Sequence, residues 1–243
     1  MNQVNLVWTR SLEDWTDDEQ ILAGSENLWH WPLIAHQAQE PTLPTWEPQL
    51  VLVTSQKAFH FARQSTKLGP LLRRKIPILV FGKQTWQHIR GQSFQAICLQ
   101  AADGEGFVKK ILACYPPSRA FYLSSQKPAT PIDERLNQEA WQVSRVVVYK
   151  TQTPSDSTPP DGLLTAMQER PTVICFASPS AVQTFASWLQ AHPGVDLQKV
   201  HAVAIGQTTA KACQSVAFAN CELSLEADLA ILWATAKRLA DSL

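Results

Sequence analysis

The chain has 243 residues, 45% of them apolar, and its 21 Lys and Arg balance 21 Asp and Glu at zero formal charge. That length allows one or two domains with a substantial core, and the charge balance excludes a chain whose whole surface pulls on nucleic acid or an anionic membrane. The start MNQVNLVWTR lacks the basic and long apolar regions of a secretory signal, no run of about 18 apolar residues follows, and five cysteines without CxxC spacing read as reduced core residues, so a soluble cytoplasmic protein is expected.

Runs rich in β-branched and aromatic residues recur in chain order: VNLVW, WPLIAH, QLVLVTS, IPILVFG, FQAICLQ, RAFYLSS, RVVVYKT, TVICFAS, HAVAIG and ANCELS. Segments of helical length, such as AVQTFASWLQAH and DLAILWATAKRLA, separate most of them. The alternation predicts an α/β architecture with largely parallel sheets. Two stretches rich in proline and polar residues, QAQEPTLPTWEPQ and TQTPSDSTPPDG, predict connectors at domain edges.

Comparison of the two halves shows a repeat. Thr54 to Phe59 matches Ala177 to Val182 at an offset of 123, whereas Phe81 to Thr85 matches Ile205 to Thr209, and Phe94 to Ala96 matches Phe218 to Asn220, at an offset of 124. Three elements in one order imply two similarly built lobes. More weakly, LVWTR pairs with FYLSS and WPLIAHQ with VVVYKTQ, which makes the second pair candidate strands between the lobes.

Four turns, TSQKA, FGKQT, ASPSA and IGQTT, pass from a strand through small or hydroxyl residues into a helix. Helix N-termini at the carboxyl edge of a parallel sheet present unpaired amides that suit anionic groups, although Ser and Thr there also serve simply as caps. Neither GxGxxG nor GxxxxGK[ST] occurs, and the chain has only nine glycines, so a nucleotide cofactor is not expected. His30, His36, His60, His88, His192 and His201 lack tight ligand spacing, and no metal site is expected either. From Pro48 to Ala102 there is no Asp or Glu but eight basic residues, of which Lys57 and Lys83 sit in the strand-to-helix turns themselves. Ser178 lacks a GxSxG elbow, and Tyr149 reads either as a packed strand tyrosine or as a donor beside the proposed bridge.

Taken together, Val7-Trp8-Thr9-Arg10, Pro32-Leu33-Ile34, Val53-Thr54-Ser55, Val148-Tyr149-Lys150-Thr151, Phe176 to Val182 and Ala204 to Ala210 resemble the uroporphyrinogen-III synthase family in order and spacing over nearly the whole chain. The resemblance implies two flavodoxin-like lobes, residues 1–34 plus 152–243 and residues 39–146, joined by a two-stranded ladder of residues 35–38 and 147–151. It implies a cofactor-free lyase that dehydrates and cyclises hydroxymethylbilane, inverting ring D, to give uroporphyrinogen III. A monomer that takes its substrate from hydroxymethylbilane synthase, without nucleic-acid or membrane partners, is the corresponding expectation.

By the same resemblance Tyr149 assists departure of the hydroxyl, while Thr9, Arg10, Ser55, Lys57, Lys83, Ser178, Ser180, Gly206, Gln207, Thr208 and Thr209 contact the polycarboxylate. The chain departs from the family pattern at Gln56 and Gln207, where proline is usual, and in YLSSQK, which lacks the usual glycine and arginine. The reading from another class is a non-catalytic, two-lobed cytosolic binder of a small anion, or an inactive relative of the synthases.

Overall fold

The central strands are apolar on both faces, as parallel strands with helices packed on either side must be. The structure is a computed structural model that describes residues 4–92 and 94–243. In chain order, β1 (Asn5–Trp8), α1 (Trp15–Leu22) and β2 (Leu28–His30) precede β3 (Ala35–Ala38). Next come β4 (Leu50–Val53), α2 (Gln56–Gln64), α3 (Leu68–Leu72), β5 (Ile78–Val80), α4 (Lys83–Arg90), β6 (Ala96–Cys98), α5 (Gly104–Cys114), β7 (Arg119–Ser125), α6 (Ile132–Asn137) and β8 (Gln142–Gln152). The chain ends with α7 (Leu163–Glu169), β9 (Thr172–Phe176), α8 (Pro179–Ala191), β10 (Val200–Ala204), α9 (Gln207–Cys213), β11 (Asn220–Leu223) and α10 (Leu229–Asp241).

Two compact units result: Met1–His36 with Gln152–Leu243, and Gln37–Thr151. The sheet of the discontinuous unit runs β2-β1-β9-β10-β11, all parallel. Counted along its own chain this is 2-1-3-4-5, the flavodoxin-like order. In the other unit the parallel strands run β8-β7-β4-β5-β6, with β3 added outside β8. That is the same set of neighbours after circular permutation. The sequence repeat follows from it, because β4 and α2 stand where β9 and α8 stand, and β5 and α4 where β10 and α9 stand.

Alternation along each strand divides the cores. Val7, Ile174, Phe176, Ala202 and Ala204 face Val182, Phe185 and Met167 of α8 and α7, while Leu6, Trp8, Val173, Cys175 and Val203 face Leu232, Trp233 and Ala236 of α10. In the Gln37–Thr151 unit Val51, Val53, Phe121 and Leu123 face α2 and α3, and Leu52, Leu79 and Tyr122 face Phe107 and Ile111 of α5. Each helix layer is pinned by a side-chain cap: Ser55 on α2, Asp103 on α5, Ser178 on α8 and Asp228 on α10. Such caps are worth about 1 kcal/mol each.

Two expectations are corrected. WPLIAH is not one strand: β2 ends at His30, Trp31 and Leu33 donate to the carbonyls of Trp8 and Thr9, and β3 starts at Ala35. Pro32 lacks an amide hydrogen, so a regular ladder cannot continue through it. The cysteines are not all core residues either, since Cys175 and Cys213 are buried but Cys114 and Cys221 are exposed.

Candidate functional site

In a parallel sheet every strand delivers its carboxyl end, and the helix N-terminus after it, to one edge. Ligands gather there where the strand order reverses, because successive crossovers leave on opposite faces and open a crevice. In the Gln37–Thr151 unit the reversal lies between β7 and β4. A pocket of about 270 Å³ occupies it, lined among others by Thr54 and Ser55 after β4, Phe81 after β5, Ser124 and Ser125 of β7, and Tyr149 of β8.

The walls are fixed by the local sequence. Ser55 takes extended dihedrals as the N-cap of α2, and its Oγ accepts from the Ala58 amide at 3.1 Å, which leaves its own hydroxyl hydrogen for another acceptor. The ladder between β7 and β8 is irregular at Ser124/Ser125, so that Ser125 pairs with Tyr149. The Tyr149 carbonyl accepts from the Gln126 amide at 2.9 Å, and its ring stacks on Phe61 of α2 at 5.2 Å. Opposite, Gly104 begins α5 so close to Thr130 that a Cβ there would overlap the Thr130 side chain. Ile132 completes this wall, and its neighbour Asp133 accepts from Arg145 Nε and Nη2 at 2.8 to 3.0 Å. That fork ties α6 to β8 and raises the Arg145 pKa chiefly through the Asp133 hydrogen bonds.

Ser55 and Tyr149 thus line one pocket. Lys57 is the second residue of α2 and half-buried, and Lys83 is the first residue of α4 and exposed. In the other unit Ser178 caps α8, its Oγ accepting from Ala181 at 3.3 Å, and Ser180 in the first turn is exposed. Gly206 is the N-cap of α9, with no side-chain cap on that helix; Gln207 and Thr208 are exposed at its start, whereas Thr209 is buried. These groups sit at the carboxyl edge of the sheet in their own unit.

Thr9 and Arg10 are placed differently from a ligand contact. Thr9 is fully buried and its Oγ1 donates to the Cys175 carbonyl at 2.6 Å, bridging β1 and β9 at the reversal of that sheet. The Arg10 guanidinium is held by Asp14 at 3.1 Å and by Asp18. Asp18 is 1% exposed and also accepts from Trp8 Nε1 at 2.8 Å, while Asp14 accepts from Ser11 Oγ at 2.7 Å. A buried carboxylate needs such a shell of donors. The sequence reasoning missed this shell because EDWTDDEQ reads as an ordinary acidic helix start. It also left Ser124, Ser125 and Thr130 unassigned, although paired serines at a strand end were a usable signal.

Among the described residues no group of His, Cys, Asp and Glu is arranged to hold a metal ion, and no helix is long and apolar enough to cross a membrane.

A family model described as uroporphyrinogen-III synthase HemD matches residues 19–229. No curated protein matches the sequence. Among solved structures, uroporphyrinogen-III synthetase from Helicobacter pylori superposes with a TM-score of 0.69 at 16% identity, over 98% of this chain and 100% of that one. A mutant uroporphyrinogen III synthase from the extremely thermophilic bacterium Thermus thermophilus gives 0.52 at 15% identity, over 99% of each chain. At such identities the superpositions speak for the fold.

Proposed function

We propose that this chain, which belongs to the uroporphyrinogen-III synthase family, catalyses the dehydrating cyclisation of hydroxymethylbilane to uroporphyrinogen III. The observation that carries the reading is the placing of Tyr149 with Ser55, Ser124 and Ser125 around one pocket at the strand-order reversal. A phenol there can donate to a departing hydroxyl while hydroxyls and first-turn amides hold carboxylates.

The chemistry asks little covalent help of the protein. The pyrrole nitrogen of the substrate pushes out the terminal hydroxyl, which leaves as water once protonated, and an azafulvene remains. Ring D then attacks through its substituted carbon, passes through a spiro intermediate and recloses inverted. In free solution the unrearranged closure competes, so the task is to hold a flexible polycarboxylate in the geometry of the slower bond-forming mode. Tyr149 serves as donor to the leaving hydroxyl. In the Gln37–Thr151 unit Ser55, Lys57 and Lys83 supply carboxylate contacts through side chains and helix amides, and Ser178, Ser180, Gly206, Gln207, Thr208 and, through its amide alone, Thr209 offer comparable groups at the carboxyl edge of the sheet in their own unit. Thr9 and Arg10 act from behind, fixing the end of β1.

The test is incubation with freshly generated hydroxymethylbilane, oxidation of the products and separation of the isomers. Type III product above the spontaneous background is expected; type I product alone overturns the reading.

A further inference from the structure

The two units carry opposite charge. Fifteen of the 21 basic residues and seven of the 21 acidic ones fall in Gln37–Thr151, a net charge of +8, which leaves six against fourteen, or −8, in the rest of the chain. Within the positive unit the excess has a location. Four lysines lie within two positions of a pocket-lining residue: Lys57 after Ser55, Lys83 after Phe81, Lys127 before Pro128 and Lys150 after Tyr149.

Four carboxylates come equally close in sequence, and each is committed. Asp103 caps α5 by accepting from the Gly106 amide at 2.7 Å, Glu105 pairs with Arg135 at 3.3 Å, and Asp133 and Glu134 both hold Arg145. Lys83 and Lys127 are exposed and Lys150 is half-buried; among the described residues none of the three has an ion pair. The carboxyl edge of this sheet therefore combines amide-bearing helix starts with lysines whose charge no neighbouring carboxylate cancels. Ammonium groups on flexible stems suit this position, because they follow carboxylates on mobile side arms better than a planar guanidinium fork does.

We propose that Lys83, Lys127 and Lys150 form a receiving edge that draws the carboxylate-rich linear tetrapyrrole to the Gln37–Thr151 unit before any chemistry begins. The proposal rests on the synthase reading for the identity of the ligand. A cleft edge of one sign raises the encounter rate by a factor on the order of 10 to 1,000 at low salt, and the gain fades as the screening length shrinks to about 8 Å near 0.15 M.

Two triple variants separate this edge from the bulk charge of the unit. K83Q/K127Q/K150Q removes the edge, whereas R73Q/R90Q/R119Q removes the same charge from exposed positions at the opposite, amino edge of the sheet, where α3 and α4 end and β7 begins. At low ionic strength kcat/KM should fall about tenfold for the first and much less for the second, and the gap should close as salt is added. Equal losses in both variants, no loss in either, or a loss independent of salt would each overturn the proposal. Binding of uroporphyrin, a stable cyclic polycarboxylate, is measured on the same three proteins. If the wild type yields no type III product yet its salt-dependent uroporphyrin binding is lost only in the edge variant, the receiving edge stands and the synthase reading falls. If turnover is intact and the edge variant matches its control, the reverse holds.

Discussion

The ring of Tyr149 stacks on Phe61 with centroids 5.2 Å apart and planes at 21°, so a strand residue of β8 is clamped by a helix residue of α2. Stacking fixes the ring but does not use the hydroxyl. Tyr149→Phe keeps the stacked ring, so the protein should still fold while turnover of hydroxymethylbilane to type III product falls by a factor on the order of 100, the range for losing one proton donor. Phe61→Ala should behave differently, lowering stability by removing the clamp as well as activity. Unaltered kcat in Tyr149→Phe would remove the tyrosine from the mechanism.

Ser55 serves two purposes that substitution can separate. As the N-cap of α2 it accepts from the Ala58 amide, a service that aspartate performs as well as serine. Ser55→Asp should keep the melting temperature but place a carboxylate in a pocket suited to receive carboxylates, raising KM. Ser55→Ala should cost about 1 kcal/mol of stability and perturb KM far less. Chemical denaturation and steady-state kinetics on both variants decide it; a KM unchanged in both would assign Ser55 to capping alone.

The strands and their parallel order were legible because β-branched runs alternate with helical segments, and the repeat was legible because both sheets place the same strand-cap-helix units next to one another. What could not be read was the difference between a residue at a strand end and one available to a ligand. Thr9 and Thr209 carry the same side chain as Thr208, yet the first spends its hydroxyl on the Cys175 carbonyl and the second is buried. The distinction depends on which neighbouring element covers the side chain or supplies an acceptor, a long-range fact that local spacing does not encode. The opposite charges of the units cancel in the whole chain, but the lobe bounds expected from the sequence already separate them, and the acid-free run from Pro48 to Ala102 was their visible sign.

Thiol reactivity should separate the cysteines by burial and by one contact. Burial pushes the Cys175 thiol up, and Cys213 is raised by its hydrogen bond to Cys221 together with burial, while the same bond lowers Cys221. Nucleophilic attack requires the thiolate. In native protein at about pH 7.5, where an unperturbed thiol is still mostly protonated, iodoacetamide should label Cys221 first, with Cys175 and Cys213 protected until denaturant is added. Peptide mapping by mass spectrometry reads this directly, and labelling of Cys175 as fast as Cys221 would contradict the packing of that core.

Acid sensitivity is expected of the discontinuous unit. His30 stacks on Trp15 with centroids 4.1 Å apart and has Nε2 2.9 Å from the Arg10 carbonyl. Burial lowers its pKa, outweighing the Arg10 carbonyl and the Asp18 charge, which act to raise it. His201 is lowered as well, again by burial. Both imidazoles are thus held neutral in the fold at a pH where the unfolded chain, with histidine near about 6.5, already takes up protons. More protons bound in the unfolded state means stability that is present above about pH 6.5 and lost as pH falls below it. His30→Phe keeps a ring against Trp15 and removes the titration, at a cost of about 1 kcal/mol for the lost hydrogen bond. Urea unfolding followed from about pH 8 to about pH 5, a range that brackets the histidine titration, should show the variant less stable than the wild type at high pH, with the gap narrowing on the acid side because its slope is shallower. Parallel slopes for the two proteins would show that His30 does not carry the acid sensitivity, and would leave His201 as the lowered imidazole to test next.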